Sequence, residues 1–185
     1  DVEKMLGELT VEEKAGLCSG ADTWFTKAVE RLGIPAVMVS DGPHGLRTQK
    51  EKRDGQYVGS VEAICFPSGA ALASSFDRSV TERVGDDLGQ EASSEGVHTV
   101  LGPAINIKRS PLCGRNFEYL SEDPYLAGEL VSSYVQGVQK HQVGVSVKHF
   151  AGNNQETRRM SISDVVDERT LREIYLSAFE KVVRT

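Results

Sequence analysis

The feature that most constrains this fold is an alternation between short apolar runs and longer segments with helical periodicity. Four apolar runs have the length and composition of buried strands, and they cover residues 34–39, 61–66, 97–101 and 144–147. Polar loops repeatedly follow the ends of these runs. Because strands that alternate with helices usually form parallel sheets, the sequence predicts an α/β fold with about four βα units.

Helix start signals accompany these runs. Thr10 and Glu13 have the spacing of a capping box within a helix predicted over residues 2–19. Residues 48–60 are polar and show no periodicity, which predicts a surface loop. Serine or aspartate caps predict three further helices, which begin at Asp77, at Ser121 to Asp123, and at Asp167.

Four βα units fit either a small open sheet or half of an eight-stranded barrel. Several separate charged loops follow the predicted strand ends. In a barrel, such loops converge on one face, where active sites form. We therefore expect the first half of a (β/α)8 TIM-type barrel.

The charge and the cysteine content argue against several classes of protein. A formal net charge of −6, with dispersed basic residues, disfavours binding to nucleic acid. No apolar run approaches the length of a membrane span, and the N-terminus lacks the features of a signal peptide. Cys18, Cys65 and Cys113 lack a zinc-ligand spacing, so we expect them to be reduced and mostly packed. These observations favour a cytoplasmic protein, although a secreted protein already trimmed would look the same.

Charged residues at the predicted strand ends form the candidate site. Carboxylates accept hydrogen bonds from hydroxyl groups, and Lys and Arg donate to them. Such a cluster therefore suits a ligand covered with hydroxyl groups, such as one pyranose ring. The candidates are Asp41, Arg115 with Glu118, and Lys148 with His149, joined by Glu156 and Arg159.

Structural roles compete with binding at several positions. Asp41 could equally bond its own backbone within a turn. A salt bridge at the barrel rim is favoured for Glu118, and a packed anchor is favoured over a sugar-stacking platform for Trp24. Function is favoured for Lys148 and His149, because packing does not readily explain two adjacent titratable residues at the end of a buried strand.

Several catalytic and cofactor motifs are absent from the sequence. It contains no P-loop, no glycine pattern for dinucleotides, no nucleophile elbow and no H-E-x-x-H. We therefore expect neither a cofactor nor a metal.

Three long strings carry a resemblance to a known family: VSDGPHGLR over residues 39–47, PLCGRNFEYLSEDP over 111–124 and KHFAGNNQETRR over 148–159. They strongly resemble the N-terminal domain of glycoside hydrolase family 3, in its β-glucosidase branch, and residues 166–176 look like the same family. A neighbouring branch, the β-N-acetylglucosaminidases, carries a Gly-His-Gly loop after its Lys-His-Phe. Gly-Asn-Asn-Gln over residues 152–155 stands in its place here, which argues against that branch.

The resemblance implies a partial family 3 barrel domain over residues 1–185. It also implies retaining hydrolysis of terminal, non-reducing β-D-glucosyl residues in a β-glucoside or oligosaccharide. By position, the residues that match those gripping the sugar before the cleaved bond are Asp41, Arg115, Lys148, His149 and Arg159.

The same resemblance implies that the catalytic groups lie outside this chain. In the family, the nucleophile is an aspartate after a later strand, usually in Ser-Asp-Trp, and the acid/base lies in a second domain. Neither matched position occurs before Thr185. We expect this chain alone to be inactive and to self-associate through an open barrel edge. The alternative is a non-catalytic module that binds sugar or serves as a scaffold.

Overall fold

The computed structural model describes residues 2–185 and contains a parallel sheet packed against helices. The strands are β1 (Val39–Asp41), β2 (Glu51–Arg53), β3 (Gln56–Val58), β4 (Thr99–Leu101) and β5 (Gly144–Val145). Strands β1, β4 and β5 form the parallel sheet in the order β1-β4-β5, and β2 and β3 form a separate antiparallel hairpin. In the register of the parallel sheet, Thr99 pairs with Val39 on one side and with Gly144 on the other.

Seven α-helices surround the sheet in the part of the chain that the structure describes. A 3₁₀ turn precedes β1, and a π-helical turn joins the last two helices. The helices are α1 (Val2–Glu8), α2 (Val11–Leu17), α3 (Gly69–Ala73), α4 (Arg78–Ser94), α5 (Pro124–Gln139), α6 (Glu168–Thr170) and α7 (Ser177–Val183).

The predicted helix caps are confirmed, but one predicted helix is split. Thr10 and Glu13 exchange the two hydrogen bonds of a capping box, at 3.2 and 2.8 Å. That box begins α2, so the single helix predicted over residues 2–19 is wrong. The three later helices are capped by aspartates, whose carboxylates accept from backbone N–H groups: Asp77, Asp123 and Asp167.

Two predictions in the middle of the chain are wrong. Residues 61–66 form no strand, because their backbone bonds to loops: the N–H groups of Val61 and Phe66 donate to carbonyls of residues 48 and 44. The supposed loop over residues 48–60 contains the β2–β3 hairpin. Its turn is Asp54-Gly55, with φ of 52° and 77°, and this residue pair is a strong hairpin signal.

Two apolar clusters hold the sheet against the helices. Leu88 of α4 and Tyr134 of α5 are buried in the first cluster, which also contains Val100 of β4. Leu130 and Phe179 join α5 to α7 in the second. Both clusters involve α5, so this helix anchors the strands whose ends carry the candidate site.

Cys113 and Trp24 are buried, whereas Cys18 and Cys65 are exposed. All three thiols are free, but only Cys113 is buried, and the expectation that the cysteines are mostly packed is wrong. Cys18 caps the C-terminal end of α2, Cys65 lies outside the helices and strands, and both are exposed. Trp24 is buried and its indole N–H donates to Gln49 at 3.2 Å, so its interpretation as an anchor is confirmed.

No helix within residues 2–185 is both long and apolar enough to cross a bilayer.

Candidate functional site

The site lies where the carboxyl ends of the three parallel strands meet. Asp41 is the last residue of β1. Lys148 follows β5 and forms an isolated parallel bridge with Ala104, which follows β4. Because parallel strands end at the same edge, residues that are far apart in the sequence are neighbours here.

Lys148 connects two acids of this edge. Its Nζ donates to Asp41 Oδ1 at 2.8 Å and lies 3.7 Å from Glu118 Oε2. The side chains of Lys148 and Glu118 are only 16% and 4% exposed. Water therefore screens these charges poorly, and the electrostatic interactions among them are strong.

Arg115 extends the cluster on the other side of Glu118. Its Nε donates to Glu118 Oε1, and its Nη1 lies 3.7 Å from Glu156 Oε1. Burial lowers the pKa of Arg115, but the hydrogen bond and the charge of Glu118 outweigh burial and raise it. Glu118 is therefore a salt-bridge partner, as interpreted from the sequence. It lies in the buried centre of the cluster, however, and not at an exposed rim.

Asp41 is held in its ionised form. Burial acts to raise the pKa of its carboxyl, but the hydrogen bond and the charge of Lys148 outweigh burial and lower it. Its oxygens are consequently acceptors at neutral pH.

A hollow of about 320 Å³ opens beside these charges. That volume lies within the usual range of small-molecule sites, roughly 300–1,000 Å³. Sequence reasoning did not assign His44, Arg47 or Phe117 to the site, although the DGPHGLR and GRNFEYL strings contain them. The side chains that line the hollow include Asp41, His44, Arg47, Arg115, Phe117 and Glu118.

His149 lies next to the charged cluster, and its backbone is clamped. Its N–H donates to Asn106 Oδ1 at 2.7 Å, and its carbonyl accepts from Asn106 Nδ2 at 3.0 Å. Burial, with the charge of Arg115, lowers the pKa of His149 to about 4. The imidazole is therefore neutral at physiological pH.

Arg159 occupies the outer edge of the site. Its Nη1 lies 3.1 Å from Glu156 Oε2, and its side chain is 54% exposed. Through Glu156 it is linked to Arg115. The structure thus brings Asp41, Arg115 and Lys148 together, sets His149 beside them and reaches Arg159 only through an intervening carboxylate.

Two buried polar residues that support the site were not selected from the sequence. Asn106 is 3% exposed and Tyr119 is 0% exposed. Asn106 is a lone polar residue among Ala104, Ile105 and Ile107. A polar side chain in such an apolar run must find hydrogen-bond partners, and this signal could have identified it.

The sequence profile described as the glycosyl hydrolase family 3 N-terminal domain matches residues 8–185. The chain belongs to glycosyl hydrolase family 3. The resemblance carried by the three strings is thereby confirmed. Among curated relatives, thermostable β-glucosidase B of Acetivibrio thermocellus is 60% identical over 185 residues, which is 100% of this chain and 24% of that protein. An exo-α-(1→6)-L-arabinopyranosidase of Bifidobacterium longum is 50% identical over 179 residues, or 96% of this chain and 24% of that protein.

Solved β-glucosidase structures share the fold. The β-glucosidase of Kluyveromyces marxianus, crystallised with glucose, superimposes with a TM-score of 0.91 at 47% identity and covers 100% of this chain and 21% of its own. The Bifidobacterium adolescentis β-glucosidase gives a TM-score of 0.87 at 50% identity, over 97% of this chain and 25% of its own. The partial-barrel α/β fold expected from the sequence is confirmed. The described parallel sheet has three strands, however, and not the four predicted, because residues 61–66 form no strand. The chain spans about a quarter of the length of the curated relatives described above.

Metal-binding side chains are not grouped in the described part of the chain. Within residues 2–185, no three His, Cys, Asp or Glu side chains are arranged to hold a metal ion.

Proposed function

We propose that this chain supplies the sugar-binding half of a β-glucosidase-type active site. The complete site would hydrolyse terminal, non-reducing β-D-glucosyl residues with retention of configuration. The observation that carries this proposal is the line of ion pairs Asp41–Lys148–Glu118–Arg115. Its members Asp41, Glu118 and Arg115 line a hollow of about 320 Å³.

The charge pattern suits a ring covered with hydroxyl groups. Each hydroxyl is both a donor and an acceptor, so it can donate to Asp41 while accepting from Lys148 or Arg115. Hydrogen bonds to charged groups are stronger than neutral ones, and burial of Lys148 and Glu118 strengthens them further. Several such bonds would hold one sugar in a single orientation.

Cleavage requires groups that we do not assign to this chain. Retaining hydrolysis uses two carboxyl groups about 5–5.5 Å apart, one of them an acid with a raised pKa. The pKa of Asp41 is lowered, which suits a binding acceptor and not a proton donor. We therefore propose that the chain alone binds sugar without hydrolysing it, and that the nucleophile and the acid/base come from outside it.

A second candidate concerns the identity of the sugar. The Bifidobacterium longum relative is named for an L-arabinopyranoside. A pyranose without the glucose hydroxymethyl group is thus an alternative ligand for the same hollow.

Calorimetry with D-glucose, D-xylose and L-arabinose tests the proposal. We expect glucose to bind the wild type and to bind Lys148→Ala and Asp41→Ala at least about tenfold more weakly, since each charged hydrogen bond contributes about 1.5–3 kcal/mol. Lys140→Ala is the matched control, because this lysine also bridges two carboxylates but lies on the helical surface. Equal affinity in Lys148→Ala and Lys140→Ala would contradict the proposed site. Hydrolysis of an aryl β-glucoside by the purified chain would refute the inactivity.

We also propose that the β5 side of the chain mediates self-association. Strand β5 is an edge of the parallel sheet, and the apolar side chains of Phe150 and Val183 are exposed on this side. Exposed strand edges with apolar neighbours favour pairing with another copy. Sedimentation should detect a dimer that Val183→Lys weakens and Val11→Lys leaves intact, since Val11 is exposed on α2. A wild-type chain that stays monomeric at all concentrations would exclude self-association through the β5 side.

A further inference from the structure

Tyr119 is buried, and three hydrogen-bonding groups, one of them the imidazole of His149, surround its hydroxyl. Its hydroxyl lies 3.1 Å from the backbone carbonyl oxygen of Asn153, 3.0 Å from Asn153 Nδ2 and 3.2 Å from His149 Nδ1. The orientation of the Asn153 amide is set independently, because its Nδ2 also donates to the Glu156 carboxylate at 2.7 Å. A carboxylate accepts hydrogen bonds and does not donate them.

Counting protons at this junction determines which nitrogen of His149 is protonated. A phenol hydroxyl has one proton and two lone pairs. The carbonyl of Asn153 only accepts, so it takes the proton, and Asn153 Nδ2 only donates, so it fills one lone pair. The remaining lone pair needs a donor, and His149 Nδ1 is the atom that faces it.

We infer that Tyr119 is a positioning residue that holds His149 in the Nδ1–H tautomer and so leaves Nε2 as a hydrogen-bond acceptor. Within residues 2–185, Nε2 of His149 has no hydrogen-bond partner. The side chain of Asn106 bonds to both the N–H and the carbonyl oxygen of His149. These two bonds hold the main chain in one orientation, so the direction of the ring does not change through main-chain rotation. Nε2 is therefore a fixed acceptor on a ring whose pKa the charges of Arg115 and Lys148 help to lower.

The consequence for sugar recognition rests on the proposed function. Lys148 and Arg115 donate to hydroxyl oxygens, whereas a neutral Nε2 accepts a hydroxyl proton. The tautomer thereby fixes the direction of one hydroxyl of the bound sugar. The opposite tautomer would add one more donor to a site that already contains several.

The tautomer can be read by ¹⁵N-edited NMR of the histidine side chains, with the His149 signals assigned by their loss in His149→Gln. We expect a pyrrole-type shift at Nδ1 and a pyridine-type shift at Nε2 in the wild type near neutral pH. Tyr119→Phe should move the ring toward the Nε2–H form. Asn153→Ala is the matched control and should keep the Nδ1–H form, because the carbonyl that accepts the phenol proton belongs to the backbone.

A wild-type His149 protonated at Nε2, or an unchanged tautomer in a folded Tyr119→Phe, would overturn the inference. If Tyr119→Phe fails to fold, the wild-type spectrum and that of Asn153→Ala decide the question. Calorimetry separates this inference from the proposed function. Tyr119→Phe should weaken glucose binding about tenfold, in line with one lost hydrogen bond. A wild type that has the expected tautomer but binds no sugar would overturn the proposed function alone.

Discussion

Two charge clusters of similar composition occupy very different parts of this molecule. At the strand ends, Lys148 Nζ lies 2.8 Å from Asp41 and 3.7 Å from Glu118. Between helices α4 and α5, Lys140 Nζ lies 2.7 Å from Glu82 and 3.3 Å from Asp86. The contact distances alone do not distinguish the two clusters.

The clusters differ in the burial of the lysine and of one acid, while Asp41 is 37% exposed and in this respect resembles Asp86. The side chains of Lys140 and Asp86 are 47% and 40% exposed, whereas Lys148 and Glu118 are 16% and 4% exposed. Exposed ion pairs are screened by water and contribute little to stability. Buried charges depend on each other, because a lost partner leaves an uncompensated charge in the interior. What sets the proposed binding site apart is therefore that the fold removes Lys148 and Glu118 from water, and not that it contains ion pairs.

The largest expected effect comes from neutralising the buried acid. Glu118→Gln leaves Arg115 and Lys148 with one carboxylate fewer, so we expect a loss of about 3 kcal/mol or more in the free energy of unfolding. Glu82→Gln at the helical surface is the matched control and should cost less than about 1 kcal/mol. Urea unfolding of both variants measures the difference. Similar losses would show that the two clusters are energetically alike.

The second prediction tests what holds α4 against α5, beneath the exposed cluster. A Cβ atom at Gly85 would lie 2.2 Å from the carbonyl oxygen of Tyr134, so the two backbones are in close contact. Gly85→Ala should therefore destabilise the fold by about 1–3 kcal/mol through overpacking. Gly7→Ala has no atom within 4 Å of the new methyl group and should be neutral or slightly stabilising. A neutral Gly85→Ala would mean that the helices move apart at no cost.

The third prediction concerns how stability depends on pH through His149, which lies next to the buried cluster. His149 is surrounded by Arg115, Glu118, Lys148 and Glu156, and its pKa falls from 6.5 to about 4 on folding, mainly through burial. Between these two pH values the unfolded chain binds a proton that the folded chain does not. Stability should therefore decrease as the pH falls from 6.5 to 4.

His149→Gln removes this contribution and should flatten that part of the stability profile. Urea unfolding at several pH values from 4 to 7 measures both slopes. Acidic groups with lowered pKa values act in the same direction at lower pH, and the difference between the two proteins cancels their effect. Identical slopes would mean that folding leaves the pKa of His149 unchanged.

The smallest effect is expected at the exposed lysine. Lys140→Ala should change the free energy of unfolding only slightly, and less at high salt, since the Debye length falls to roughly 3 Å at 1 M salt. Urea unfolding at low and high salt measures this change in the free energy of unfolding. A loss as large as that of Glu118→Gln would remove the distinction between the clusters.

Several parts of this protein follow from its sequence because short-range bonds decide them. The capping box at Thr10 and the capping aspartates bond to backbone groups at most three residues away, so a local pattern suffices to find them. The alternation of strand and helix identified the fold class, and the strings around Asp41, Arg115 and Lys148 identified the family and the candidate site. The Asp54-Gly55 hairpin was also readable from the sequence, although the prediction missed it.

Only the tertiary structure decided which charges are buried and which atoms face one another. Asp41 and Lys148 are 107 residues apart in the chain, and no local pattern gives the 2.8 Å contact between them. The segment over residues 61–66 has the composition of a strand, but its neighbours offer loops in place of a sheet edge. Likewise, the roles of Asn106 and Tyr119 depend on where His149 comes to lie. Burial and hydrogen-bond partners depend on the residues that the fold brings together. For this reason the sequence identified the candidate residues, while packing determined which of them are buried and what each one contacts.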